Sequence, residues 1–548
     1  MPAIITDQYR ILNAETFIDS FVGIGTTGKN NYYTFLAHPK PDNVADGIGY
    51  GDNSWPTRTP DPIDNFDEEN RYHDSMLFLK KITPSDVRRV IPRINWQSGT
   101  VYEMYRNNYS ANNRTSQSSN SGLYGSDYYV LTSEFKVYLC INNGSSPENE
   151  GKGKTSKVEP THTSTTVPPV AEGDDSDGYQ WKYLYTIAPS DIVKFVTDSY
   201  IPLPEKWGDI TTKAVKDAAI DGKLETIIVK RAGSVSINGQ DGDIIGVPII
   251  GDGSGGTATI KVAGGVVDSI KLSDTNSRDY TYAVVDLYEN FEFTIDNQTK
   301  KVDSLGQGDN QPIFEVIIPP KGGHGADIYR ELGGYRVMIY TKFDNNPTDR
   351  GDYVVGNSFS RVGIIKDPLD SAGTSVLNKR TATSLGALKL TPPSGSTTQL
   401  SNVVYKPNAR ITQYSDDSTL GIGTAVAYVA SWDNTTGVLK YYQPVGFSTI
   451  SVYSKQLKDF VGLSTAITGA THIEGSGQTV DNLVVDTTFN GESVRVGQRD
   501  ESLGQAFING VSSSEIKKYS GEIIYIDNRA EVTRTTSQKE EVKIVIEF

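Results

Sequence analysis

The residues best placed to do chemistry are two glycine-rich runs, a cluster of aspartates, one cysteine, five histidines and five tryptophans. Gly251-Asp252-Gly253-Ser254-Gly255-Gly256 has the G-x-G-x-x-G spacing of a dinucleotide fingerprint. That fingerprint works only where it opens a helix whose N-terminus faces a pyrophosphate. Here a strand pattern follows, Thr257-Ala258-Thr259-Ile260-Lys261-Val262, so the run is expected to be a turn. Gly153-Lys154-Thr155 matches the end of a phosphate-binding loop, but Glu148 stands where that loop needs its first glycine. Asp174-Asp175-Ser176-Asp177-Gly178 has part of the calcium-loop spacing, yet the register that uses Gly178 puts Gly173 at the first ligand position and Leu184 at the bidentate one. A helical calcium hand is thereby excluded, and both segments are expected to be solvated loops.

Cys140 is the only cysteine, so no intramolecular disulfide forms, and its aromatic strand context reads as buried. His38, His73, His162, His324 and His472 lie too far apart for a local ligand motif, and there is no G-x-S-x-G elbow. The 67 acidic residues supply many pairs a glycosidase could use and nominate none. Trp55, Trp96, Trp181, Trp207 and Trp432 could stack on sugars or serve as core and interface anchors. No catalytic, metal-ligating or cofactor-binding set emerges; no cofactor is expected, and the chain is read as a non-enzyme.

The elements that would position any site are mostly strands. Tyr128-Tyr129-Val130-Leu131, 135–141, 181–187 and 522–526 are rich in aromatic and β-branched residues, and Val542, Ile544, Ile546 and Phe548 alternate with polar positions as in a half-buried strand. Three short helices are expected: 13–22 capped by Asn13, 83–91 capped by Thr83 with Pro84 at its first position, and a weaker one within 208–221. Two hairpins stand out, one turning at Gly264-Gly265 and one at 433–437 between 426–429 and 438–442. The polar stretches 42–70, 107–122 and 142–178 read as long exposed loops, of the kind that wraps neighbours in an assembly.

At 548 residues the chain is too long for one core. The fold class expected is mainly β with a few short helices (α+β), multidomain, with a β-sandwich-like core and inserted β modules. A net charge of −15 disfavours nucleic acid, because a polyanion needs a basic surface that releases counterions. No apolar run approaches the roughly 18 residues of a membrane span, and the opening residues lack a leader pattern, so no membrane insertion and folding in a cytoplasm are expected. Tyrosine is abundant, 31 residues, and is expected at contact surfaces.

Several strings resemble one family in order along the chain. They are Phe17-Ile18-Asp19-Ser20-Phe21 with Tyr32-Tyr33-Thr34-Phe35; 90–96; 137–140; 178–185; 201–205 with Trp207-Gly208; Gly356-Asn357 with 359–365 and Asp367-Pro368-Leu369; and 520–529 with the closing strand. Together they are similar to the dimeric baseplate wedge protein of T-even-type contractile-tailed phages, in a cyanophage-like version with β insertions. The resemblance implies a divided core, 1–222, 321–370 and 511–548, the last as a C-terminal hairpin, interrupted by β modules at 223–320 and 371–510. It also implies a non-enzymatic structural subunit of the virion tail, made in the host cytoplasm, that forms a homodimer and joins other wedge proteins during baseplate assembly and rearrangement. The alternative is a tail adhesin that meets a host receptor or glycan through the inserted modules.

Overall fold

The computed structural model describes residues 3–23, 28–38, 59–110, 112–113, 119–149, 151–168, 177–273, 276–344, 358–419, 423–443, 459–468, 482–535 and 538–548. The protein is mainly β, 42% strand against 12% helix, in several sheets. It divides into two compact units. The first comprises Met1–Thr16, Arg88–Met338 and Val545–Phe548; the second comprises Phe17–Val87 and Ile339–Ile544. Each is thus built from discontinuous chain, and the expected segment 1–222 is shared between them.

The first unit has a tyrosine-lined core. Strands Tyr129–Leu131, Lys136–Asn143 and Tyr179–Thr186 form an antiparallel sheet in which Val137, Tyr138, Leu139 and Cys140 are wholly buried. The tyrosines expected at contact surfaces are largely inside, and each such hydroxyl needs an acceptor. Tyr128 donates to the Glu331 carbonyl at 2.7 Å, Tyr129 to that of Pro92 at 2.7 Å and Tyr185 to that of Pro202 at 3.0 Å. Burial holds the Tyr128 and Tyr185 phenols well above their ordinary pKa, so they stay donors.

The helix expected over 83–91 is a single 3-10 turn, Pro84–Asp86, followed by strand Val87–Pro92. A capping box forms at its start, with Thr83 N–H on Asp86 at 3.1 Å. The β-branched Val87, Val90 and Ile91 then take a strand partner, Tyr200–Pro202, with Ile91 opposite Ile201. A local start signal loses to a tertiary pairing that buries Val90 and Ile91 completely. The candidate within 208–221 shrinks to Lys213–Asp217, because Asp209 caps the backbone of Thr211 and Thr212 at 3.0 Å ahead of it. The opening helix runs Asp7–Val22, so Asn13 is internal; Thr6 starts it instead, accepting the Arg10 N–H on its carbonyl at 3.3 Å.

The described part of 142–178 is not a free loop. Ser156 is fully buried, its backbone pairs with Gly99 and Thr100, and Tyr138 donates to the His162 carbonyl at 2.5 Å. Backbone and tyrosine hydroxyls satisfy this polar segment, which therefore lines its own core.

Residues 224–316 have a separate hydrophobic core around Ile244, Val247, Ile260, Val262 and Val302. The chain enters through strand Ile227–Arg231 and leaves through Ile313–Val316, and these two pair antiparallel with Ile227 opposite Val316. The hairpin Thr257–Ala263 with Val266–Leu272 turns at Gly264 and Gly265, whose φ of +62° and +75° suit a type I′ turn and demand glycine or its few substitutes.

In the second unit a five-stranded antiparallel sheet runs in the order Thr381–Thr383, Met76–Lys81, Tyr32–Ala37, Ser358–Lys366, Glu522–Thr533. All six residues of Tyr32–Ala37 are buried, as in a strand covered on both faces. Phe21 stacks on Tyr32 at 4.2 Å, and Gly363 sits opposite Phe35, whose ring fills the place a Cβ would take. Asp367 accepts the Asn31 N–H at 2.7 Å and Ser520 accepts that of Leu369 at 2.9 Å.

Helix Phe66–Asp74 begins inside the stretch 42–70 expected as loop and runs past its end; Asn65 caps it by accepting the Glu68 N–H at 2.9 Å. Asn-x-x-Glu was a legible start signal. Residues 39–58, and Trp55 with them, lie outside the described residues.

A six-stranded sheet, with Gly386–Thr391 and Gly423–Asp433 among its strands, carries the core of 386–512. Its 433–437 turn is held by Asp433, which accepts from Thr435 N–H at 2.9 Å and the Thr436 hydroxyl at 2.7 Å. The closing strands do not form the expected C-terminal hairpin. Glu522–Thr533 pairs with Ser358–Lys366, whereas Glu540–Glu547 joins Arg336–Phe343 in a different sheet. The alternation in the last strand holds, with Val542 and Ile544 buried.

Candidate functional site

The sequence candidates are structural where they are described. The run Gly251–Gly256 ends strand Gly242–Gly251 and precedes strand Thr257–Ala263. Its glycines admit Tyr280: a Cβ on Gly253 would lie 2.5 Å from the Tyr280 ring, and the Tyr280 hydroxyl donates to the Ile249 carbonyl at 3.0 Å while accepting the Gly256 N–H at 3.2 Å. A phosphate has no cradle there. Lys154 pairs by backbone with Asn143 at 2.8 Å, and no helix follows.

Asp177 takes the N–H groups of Lys157, Val158 and Tyr179 at 2.9, 3.3 and 3.0 Å, so it organises the loop with its own donors; 174–176 lie outside the described residues. Cys140 is buried, which pushes its thiol well above its ordinary pKa and leaves it a small core residue. Trp181 stacks on Tyr179 at 5.3 Å, and the indoles of Trp96, Trp207 and Trp432 donate to Ser156, Gly325 and Val403 at 3.1, 2.8 and 2.8 Å. Among the described residues no three His, Cys, Asp or Glu gather as metal ligands. His472 lies outside them.

One polar pair escaped the sequence reading. His324 Nδ1 lies 2.5 Å from Glu331 Oε1, Glu331 Oε2 accepts the Gly325 N–H at 2.7 Å, and Tyr105 meets the imidazole edge-on at 4.5 Å. Both side chains are buried, and the pair closes the glycine-rich turn before helix Ile328–Glu331. The buried pair braces that turn.

The candidate site is instead a groove of about 850 Å³ in the second unit, within the usual size range of ligand sites. It lies where 370–379 and 504–515 run side by side, with Glu492 on the rim. Lys379 pairs with Glu515 Oε1 at 2.6 Å, and Glu515 Oε2 accepts the Thr383 N–H at 2.9 Å, so that carboxylate is spent. Asp370 accepts the Thr374 N–H at 3.2 Å. Gln505 is 4% exposed; its Nε2 donates to the carbonyls of Leu385 and Ser513 at 2.9 and 3.2 Å, and its Oε1 has no partner.

The groups this lining presents are hydroxyls, amides, carboxylates and one lysine, which offer hydrogen bonds and charge. The sequence reading missed it, because it forms where residues on both sides of the expected 510/511 boundary meet. Asn509-Gly510, with φ of +51° and +76°, makes the tight turn that folds Val511 back on Ile508 and was the one local signal. Compared with protein-family models and with curated proteins, the chain matches none.

Proposed function

We propose that the chain is a structural subunit of a phage tail baseplate wedge, made in the host cytoplasm, which dimerises and joins neighbouring wedge proteins during assembly and rearrangement. One observation carries the reading. Three strings that resemble the wedge family, 32–35, 359–365 and 520–529, are separated by hundreds of residues yet fall in three adjacent strands of one sheet, with Phe17 and Phe21 of a fourth packed on Tyr32. Strings alike by accident have no reason to become neighbours; strings that specify one body do.

A second support is the opening helix, where Tyr9 and Leu12 share a face at i, i+3 spacing and are each 55% exposed, with Ile5 just ahead of the helix 64% exposed. An apolar stripe of that kind calls for a covering partner. Permanent assemblies bury upwards of about 2,000 Å², so this stripe would be one part of a larger contact.

The adhesin reading has one observation in its favour. Ile250, Tyr282 and Val284 share an exposed face of the 224–316 module, Ile250 directly opposite Val284. Cryo-microscopy of the virion tail decides between them: density for this chain in paired copies within the baseplate supports the wedge role, and density only in distal fibres removes it.

A further inference from the structure

The groove lined by 370–379 and 504–515 is unfilled by its own chain in three respects. Its charged lining is unbalanced, with Asp370, Glu492 and Glu515 against Lys379 alone, and Lys379 is already paired with Glu515. Glu492 has no ion pair among the described residues. Gln505, buried in the wall, holds an acceptor oxygen with no donor, which costs about 1–3 kcal/mol unless something supplies one.

The third respect concerns the backbone. In the hairpin of Gly491–Val496 with Arg499–Phe507, Gly491 stands opposite Phe507 and Ser493 opposite Ser502, so residues 503–506 bulge out of the ladder. Three of them, Gly504, Gln505 and Ala506, line the groove, and Gly504 has a φ of +76°. The Gly504 N–H is taken by the Ser502 hydroxyl at 3.4 Å, and the rest of the bulged main chain beside the cavity can meet another extended chain, the mode of β-strand addition. Ile508 and Val376 add apolar contact at the rim, 71% and 42% exposed.

We propose that this groove seats an extended segment of a partner polypeptide that carries a lysine or arginine. The segment's backbone runs along 504–506, and its cation is held by Glu492 and the acceptor-rich wall. A polypeptide is favoured over a glycan because the unladdered main chain and the excess of carboxylates both select for it, and the lining holds no aromatic ring on which a sugar would stack. This deepens the assembly reading by naming one contact surface, and it is tested separately, since a peptide titration reads the groove whether or not the chain enters a baseplate.

The test uses the full chain and three fluorescent hexapeptides of sequence Gly-Ser-X-Ser-Gly-Ser, with arginine, glutamine or glutamate at X, together with a labelled maltohexaose, all followed by anisotropy. The arginine peptide is expected to bind, to weaken with salt, and to lose roughly tenfold in affinity on Glu492→Lys, a change at an exposed position that leaves the fold intact. Four results overturn the proposal: no peptide binding at concentrations on the order of millimolar, equal binding of the arginine and glutamate peptides, unchanged arginine binding in Glu492→Lys, or binding of the maltohexaose alone.

Discussion

Residues 224–316 and 386–512 both look like β modules set into a divided core, but they are attached differently. The first is entered and left through paired strands, Ile227–Arg231 and Ile313–Val316, so the chain crosses into it at one point and its core closes on itself. The chain that flanks the second is tied into the rest of its unit: Thr381–Thr383 joins the five-stranded sheet and Glu515 N–H donates to the Thr383 carbonyl at 3.0 Å, while from inside the segment Gln505 bridges the carbonyls of Leu385 and Ser513 and Tyr442 meets His38 edge-on at 6.4 Å. The two segments thus differ in how far the chain at their ends is bound to strands outside them. Those ties decide whether a segment is a separable body or a wall of another one.

The largest expected contrast comes from cutting the modules out. An isolated 224–318 fragment is expected to melt cooperatively by circular dichroism, whereas a 384–514 fragment is expected to show no cooperative transition; a cooperative melt of the second would erase the difference.

Arg361 comes next. It is wholly buried in the five-stranded sheet, with Nε on Asn528 at 2.7 Å, Nη1 on Ser75 at 3.1 Å and its guanidinium over Tyr72 at 4.4 Å. Arg361→Met is expected to cost about 3 kcal/mol in urea unfolding and to leave the 224–316 transition unmoved.

Two glycine substitutions sharpen the same comparison. Gly363→Ala puts a Cβ 2.3 Å from the Phe35 ring and 2.7 Å from the Tyr525 carbonyl, and Gly253→Ala puts one 2.5 Å from the Arg278 carbonyl. Each is expected to cost about 1–3 kcal/mol, the first in the second unit's transition and the second confined to the module. Hydrogen exchange resolved by segment would read which amides lose protection.

The mildest perturbation is a proton. Burial pushes His73 down to about 4, so the folded second unit holds it neutral while an unfolded chain takes up the proton near pH 6.5. The stability owed to neutral His73 is complete above that value and is lost as pH falls towards about 4. By pH 5.5 the loss is roughly 1 kcal/mol, and His73→Gln removes the slope. Residues 224–316 contain no histidine, and Asp252, lowered to about 2 by the Thr281 hydroxyl and N–H, keeps its charge over that range. The fluorescence midpoint of the second unit is expected to fall between pH 7 and 5.5 while the module's stays level.

Turn chemistry was legible because it is local. Gly264-Gly265 and 433–437 carry their own backbone instructions, and the flanking strands follow from alternation. Helix limits were less so. Asn13 lost its capping role to Thr6, and the Thr83 cap opened a turn and no helix, since caps announce a start and say nothing about what the next six residues can gain elsewhere. The groove was illegible: its walls come from 370–379 and 504–515, and a vacant acceptor such as Gln505 Oε1 exists only once its neighbours are placed.

By itself, then, the sequence determined a multi-sheet, mainly β protein, its hairpins and its acidic net charge. Only the tertiary structure decided that strands 32–37, 358–366 and 522–533 would be neighbours, that Val87–Pro92 would be a strand, that Tyr128, Tyr138 and Tyr185 would lie inside, and that the two closing strands would part. The physical reason is the range of the interactions. Turns and alternation are satisfied within a few residues, whereas a strand's edge and a buried hydroxyl need a partner whose place along the chain is unconstrained.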